Sequence, residues 1–187
     1  MKSLKTIQTL SKIGKIISKI VYICCMVGII GCAVGIVALS IGGNVLVLDD
    51  VALNDVLYNE AVSTGTSLAA LVTGLILCTG EYIVARMAYR YFDHELSVGT
   101  PFTLEGSKEL MRLGIIVIVI HIVSAVFAQV AQGIISAMME NVEALTLESG
   151  DSVALGVMLI IISVLCRYGA ELVANQASKE QNSDEQN

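Results

Sequence analysis

Residues 113–135 read LGIIVIVIHIVSAVFAQVAQGII, an apolar run interrupted by no Asp, Glu, Lys or Arg. At a helical rise of about 1.5 Å per residue, a run of this length crosses the roughly 30 Å hydrocarbon layer of a bilayer. Three further apolar runs lie at 20–41, 67–89 and 153–173, the second carrying Glu81 and Arg86 and the last Arg167 and Glu171. No window between them is apolar enough for a fifth. Across its 187 residues the chain is 55% hydrophobic and only 15% charged, with a mean hydropathy of +0.78. Soluble domains carry about a quarter charged residues. The sequence therefore predicts an all-α integral membrane four-helix bundle, formed by a single four-span domain over 1–175. The tail, 176–187, is rich in Gln, Asn, Ser, Glu and Asp, and its composition predicts disorder.

The net charge of −6 hides a segregation. Lys2, Lys5, Lys12, Lys15 and Lys19 precede the first run, and Arg86, Arg90, Lys108 and Arg112 surround the connection between the second and third. Arg167 and Lys179 lie at or beyond the end of the fourth, which accounts for all eleven basic residues. The other two connections carry Asp49, Asp50, Asp55 and Glu60, then Glu140, Glu143, Glu148 and Asp151. Basic residues accumulate on the cytoplasmic side of membrane proteins, so the expected topology is N-in, C-in with acidic outer loops. Those acidic residues lack the spacing of a calcium loop, and plain solvation is their simplest reading.

Ahead of the first span, Lys5, Lys12, Lys15 and Lys19 form one helical stripe opposite Leu4, Ile7, Leu10, Ile13, Ile17 and Ile20. That pattern predicts an N-terminal amphipathic helix in the inner interface, turning into the membrane afterwards. A charged lead-in to the span is the plainer alternative. Ile29-Ile30-Gly31-Cys32 resembles a lipobox, but the run continues apolar through Leu39, where a lipoprotein would begin a polar tether. Cys24, Cys25, Cys32, Cys78 and Cys166 all fall inside apolar runs and read as small packing residues. Gly31 and Gly35 form a GxxxG pair with Gly28 one turn before, a pattern suited to close helix contact in lipid. Gly74, Cys78 and Ser163 are candidates for similar contacts on other spans.

Glu81 and His121 are the ionisable residues deepest in the predicted spans. Each stands about nine residues, or roughly 13 Å, from the inner boundary. Antiparallel neighbours would bring them to one depth, where a Glu–His hydrogen bond satisfies both groups and can relay a proton. Arg86 and Arg167 are alternative partners for Glu81. A polar clamp between helices is the simplest role; an ion or ligand site is the sharper one. On the third span His121, Ala125, Ala128 and Gln132 share a face flanked by Ser124 and Gln129, predicting a polar stripe turned into the bundle. Arg167 and Glu171, four apart, predict an ion pair at the inner end of the fourth span. No nucleophile motif, phosphate-binding glycine loop or metal-ligand cluster is present, so no catalytic residue, metal or cofactor is assigned. An aromatic and basic surface for nucleic acid is missing too.

The connection between the second and third spans is the most distinctive segment, running from Arg90-Tyr91-Phe92-Asp93 through Gly99-Thr100-Pro101-Phe102-Thr103 to Leu110-Met111-Arg112-Leu113-Gly114. Gly99 and Pro101 predict a cytoplasmic turn and Phe102 an interfacial anchor. Thr103 is placed to cap the next helix, with Glu105 near its positive end. This Gly-x-Pro-Phe-Thr turn followed by Leu-x-Arg-Leu-Gly resembles the bacterial YoaS-like family of small four-span membrane proteins of unknown function. Arg167-Tyr168-Gly169-Ala170-Glu171-Leu172 is similar to that family's closing Arg-x-Gly-x-x-Leu. The family's further Asp-Leu-Thr-Val-like segment is replaced here by Asn175-Gln176-Ala177-Ser178. The resemblance implies a multi-pass protein of the bacterial cytoplasmic membrane, and it implies no reaction or substrate. Family members are commonly encoded beside small helix-turn-helix regulators, which implies a role in membrane-linked regulation.

Three functional classes stay open on sequence. The first is a non-enzymatic sensing or scaffolding protein with a membrane or cytoplasmic protein partner besides the lipid bilayer. The second is a homo-oligomeric transporter, pore or immunity-type protection protein with Glu81 and His121 along its path. The third is a membrane enzyme acting through the same two residues.

Overall fold

Peptide groups in hydrocarbon find no water, so an apolar run must close its hydrogen bonds within itself, and a helix does this. The computed structural model describes residues 2–41, 47–48, 51–52, 64–98, 103–139, 142 and 150–184. Four helices follow the four runs: α1 (Lys2–Ile41), α2 (Thr64–Val98), α3 (Leu104–Met138) and α4 (Gly150–Asp184). Between α1 and α2, β1 (Val47–Leu48) pairs antiparallel with β2 (Val51–Ala52), Val47 opposite Ala52. Among the described residues, four stretches are long and apolar enough to cross a membrane: Ser11–Ile41, Thr64–Ser97, Leu104–Met138 and Val153–Gln176. The chain is a multi-pass helical membrane protein. Its acidic residues from Asp49 to Glu60 and from Glu140 to Glu148 lie outside the described residues.

A separate amphipathic interfacial helix finds no support. Lys2–Ile41 is one uninterrupted helix with no turn between the lysine-rich segment and the span. Its packed face is not the isoleucine side: Ser11 and Ser18 are buried, while Ile13, Ile17 and Ile20 stay about half exposed. Small side chains let another backbone come close, and in lipid an exposed isoleucine costs nothing. At the other end α4 extends to Asp184, into the tail whose composition predicts disorder. Ala174, Gln176, Ala177 and Lys179 all tolerate helix well.

The chain divides into two compact units. The first comprises Met1–Ile20, Val84–Val119 and Gly150–Asn187, so it holds parts of α1, α2 and α3 and all of α4. Its core is Tyr91, Leu110 and Leu113, packed by Met87, Leu159 and Cys166. Within it α3 and α4 run antiparallel and touch backbone to backbone. A Cβ on Gly114 would sit 2.9 Å from the Gly156 carbonyl oxygen, and one on Gly156 would sit 3.0 Å from that of Gly114.

The second unit comprises Val21–Ile83 and Ile120–Ser149. Here α1 meets α2 through notches. A Cβ on Gly28 would reach the Cys78 sulfur at 3.0 Å, and one on Gly35 would reach the Leu71 side chain at the same distance. The Cys32 sulfur fills the notch at Gly74, 3.2 Å from the position of an added Cβ. Gly31 has open space within 4 Å, so the contact face runs Gly28–Cys32–Gly35, and Gly31 is not part of it.

Candidate functional site

Besides tyrosines and cysteines, the ionisable side chains among the second unit's described residues are Glu81 and His121. Glu81 projects from α2 and His121 from α3, and His121 Nε2 lies 2.7 Å from Glu81 Oε1. With the carboxylate ionised, the Nε2–H donates to Oε1; the reverse tautomer lets a protonated Glu81 donate to Nε2. The His121 side chain is 15% exposed and that of Glu81 46%, so the histidine is enclosed while one edge of the carboxylate opens outward.

Close backbone approach holds the pair. Immediately beside Glu81, a Cβ on Gly80 would fall 2.5 Å from Ser124 Oγ, so Ser124 seats against bare α2 backbone. Further along the same helix pair, Gln132 Nε2 donates to Thr73 Oγ1 at 3.2 Å, and Ala69 and Ala128 are fully buried. Ser124 and Gln132 thus face a neighbouring helix. Gln129 does not: it is exposed, which corrects its place in the inward stripe. Residue 129 falls one position, about 100° of helix turn, from Ala128, which occupies the contact face.

A second polar cluster stands in the first unit, and sequence reasoning missed it. Glu95 on α2 is 8% exposed. It accepts from Ser11 Oγ of α1 at 3.1 Å and, on its other oxygen, from the Tyr91 hydroxyl one turn back. Beside it Lys15 donates to Asp93 and lies 5.5 Å from the Tyr89 ring centre, while His94 Nδ1 pairs with Glu109 of α3 at 2.8 Å. A signal existed in the serines of α1: Ser11 and Ser18, seven apart, mark a small face on which a buried carboxylate can find a donor.

Of the predicted cytoplasmic turn, Gly99, Pro101 and Phe102 lie outside the described residues. Thr103 caps α3: the Gly106 amide donates to its Oγ1 at 2.9 Å and the Ser107 amide to its carbonyl at 3.0 Å, with Glu105 in the first turn. Midway along α4 Arg167 Nε donates to Glu171 Oε1 at 3.0 Å, both side chains about half exposed. Among the described residues no three His, Cys, Asp or Glu side chains gather as a metal site.

Chemically the Glu81–His121 pair can store or pass one proton and can tie α2 to α3. The Glu95 cluster can tie α1 to α2, and each of its carboxylate oxygens already has a donor. Comparison with known proteins finds no family model, no curated protein and no solved structure that matches the chain.

Proposed function

We propose that this chain is a non-enzymatic sensing, scaffolding or regulatory protein of the bacterial cytoplasmic membrane. Both termini and the 99–103 turn face the cytoplasm, where a membrane or cytoplasmic protein partner engages them. The observation that carries this reading is how the polar groups are spent. Among the described residues no buried side-chain nitrogen or oxygen lacks a hydrogen-bond partner. Glu81 with His121, Gln132 with Thr73 and Ser11 with Glu95 each join one helix to another. Groups used as ties hold a bundle in one arrangement, whereas a conduction path leaves polar groups facing water. All eleven basic residues lie near or beyond one end of the apolar runs, which supports placing those ends at the cytoplasmic side. The YoaS-like resemblance, carried by residues 99–114 and 167–172, fits the same assignment.

The test is in-membrane crosslinking from residues 97 and 178 followed by identification of what is captured. A defined protein partner, lost when the 99–103 turn is replaced by a Gly-Ser linker, is the expected result. No partner, together with no phenotype for the replaced turn, contradicts the reading. The half-exposed Glu81 carboxylate favours a second reading, a small oligomeric transporter or protection protein with that edge on its path. Purified protein in liposomes then shows an ion or solute flux that falls with Glu81→Gln or His121→Ala. The scaffold reading expects no flux in either the native chain or the variants.

A further inference from the structure

Between α2 and α3 in the first unit lies a groove of about 400 Å³, within the size range of small-molecule sites. Its floor is apolar, formed by Met87 and the buried Leu113, and its rim carries Arg90, Arg112, His94 and Glu109. Glu109 is occupied by His94. Neither Arg90 nor Arg112 makes a hydrogen bond or ion pair among the described residues, so two guanidinium groups stand over an apolar floor without an anion.

Their depth says which anion. Arg90 directly follows the 67–89 run and Arg112 directly precedes the 113–135 run. Within the longer helices Thr64–Val98 and Leu104–Met138, the two arginines thus mark where the apolar runs stop, the depth at which lipid phosphates meet hydrocarbon. A guanidinium offers a planar fork of donors matched to phosphate oxygens, and basic pockets between helices at this depth suit anionic head groups. Beneath the head group, Met87 and Leu113 present surface for the first acyl methylenes. The neighbouring groove of Ser107, Lys108, Ser163, Arg167 and Tyr168 is the weaker candidate, because its arginine is already paired with Glu171.

We propose that the Arg90–Arg112 groove is a binding site for one anionic phospholipid of the adjoining leaflet. The phosphodiester lies between the two guanidinium groups, and an acyl chain lies along Met87 and Leu113. The site goes beyond the scaffold reading and does not depend on it, since a transporter could carry the same lipid.

The full-length protein is purified into nanodiscs of phosphatidylcholine alone and of an equal phosphatidylcholine and phosphatidylglycerol mixture. Native mass spectrometry then counts lipids that stay bound after the disc is stripped. The native chain is expected to retain phosphatidylglycerol in preference to phosphatidylcholine. Arg90→Gln and Arg112→Gln each weaken that retention about fivefold and together about thirtyfold, while Lys12→Gln leaves it unchanged. A photoreactive head-group analogue on the native chain labels the peptides containing residues 87–94 and 109–113, which keeps the question open to test even if the double variant folds poorly. Retention unchanged in the double variant, labelling elsewhere, or equal protection by inorganic phosphate in neutral discs overturns the proposal.

Discussion

In the unit built from residues 84–119 and 150–187 with the start of α1, helices meet through carboxylates, with Glu95, Asp93 and Glu109 each taking a cation or hydroxyl from another helix or turn. In the unit of residues 21–83 and 120–149 they meet through bare backbone, with Cys78, Cys32, Leu71 and Ser124 seated in glycine notches and one Glu–His pair added. The charged ties lie outside the apolar runs 20–41, 67–89 and 113–135, whereas the notches lie within them. Charged ties near a water boundary can fill unmet valences with water and lose little. In hydrocarbon an unmet charge is costly, so contact area between small residues carries the association and polar ties are few and complete.

The largest effect that would break this comparison comes from the one place where the charged unit also relies on bare backbone. Gly114→Leu forces a side chain into the Gly156 carbonyl and the Ile160 backbone nitrogen, and rigid backbone cannot yield as a side chain does. Thermal unfolding in detergent should show a loss of about 3 kcal/mol, the upper end for overpacked sites. Next comes Tyr91→Phe, which removes a donor from the buried Glu95 carboxylate and costs about 2 kcal/mol. If Tyr91→Phe leaves stability unchanged, the buried Glu95 carboxylate does not depend on the tyrosine donor. In the other unit His121→Ala should cost only about 1 kcal/mol, since hydrogen bonds between membrane helices average less than that. A loss as large as that of Gly114→Leu would mean that polar ties, and not notches, organise this unit. Smallest is Gly31→Leu, within about 0.5 kcal/mol of the native chain because the site is open, whereas Gly35→Leu must displace Leu71.

How much of this could be read in the sequence differs by feature. The four spans were legible because hydrocarbon admits few residue types. Thr103 as a cap and Arg167 with Glu171 were legible because both follow from spacing within one helix. Glu81 and His121 could be matched because equal distance from a charged boundary places two residues at one depth. The contact faces were not legible. Where lipid is as apolar as the core, hydrophobic period no longer separates inside from outside, so Gln129 and Gly31 looked as inward-facing as Gln132 and Gly35. The isoleucine side of α1 misled for the same reason. Gly114 and Gly156 gave no local sign, because a crossing point depends on the register of two helices far apart in sequence. Glu95 was hidden among charges, where a single buried carboxylate resembles its solvated neighbours.

The central proposal is that both termini and the connection from α2 to α3 face the cytoplasm, with the other two connections outside. Its most direct test is thiol labelling in intact cells with a membrane-impermeant reagent, using a cysteine-free background and single cysteines at Ser97, Ser178, Asp55 and Glu143. The account predicts labelling at 55 and 143, and protection at 97 and 178 until the cells are opened. Labelling of 97 or 178 in intact cells, or protection of both 55 and 143, would contradict it.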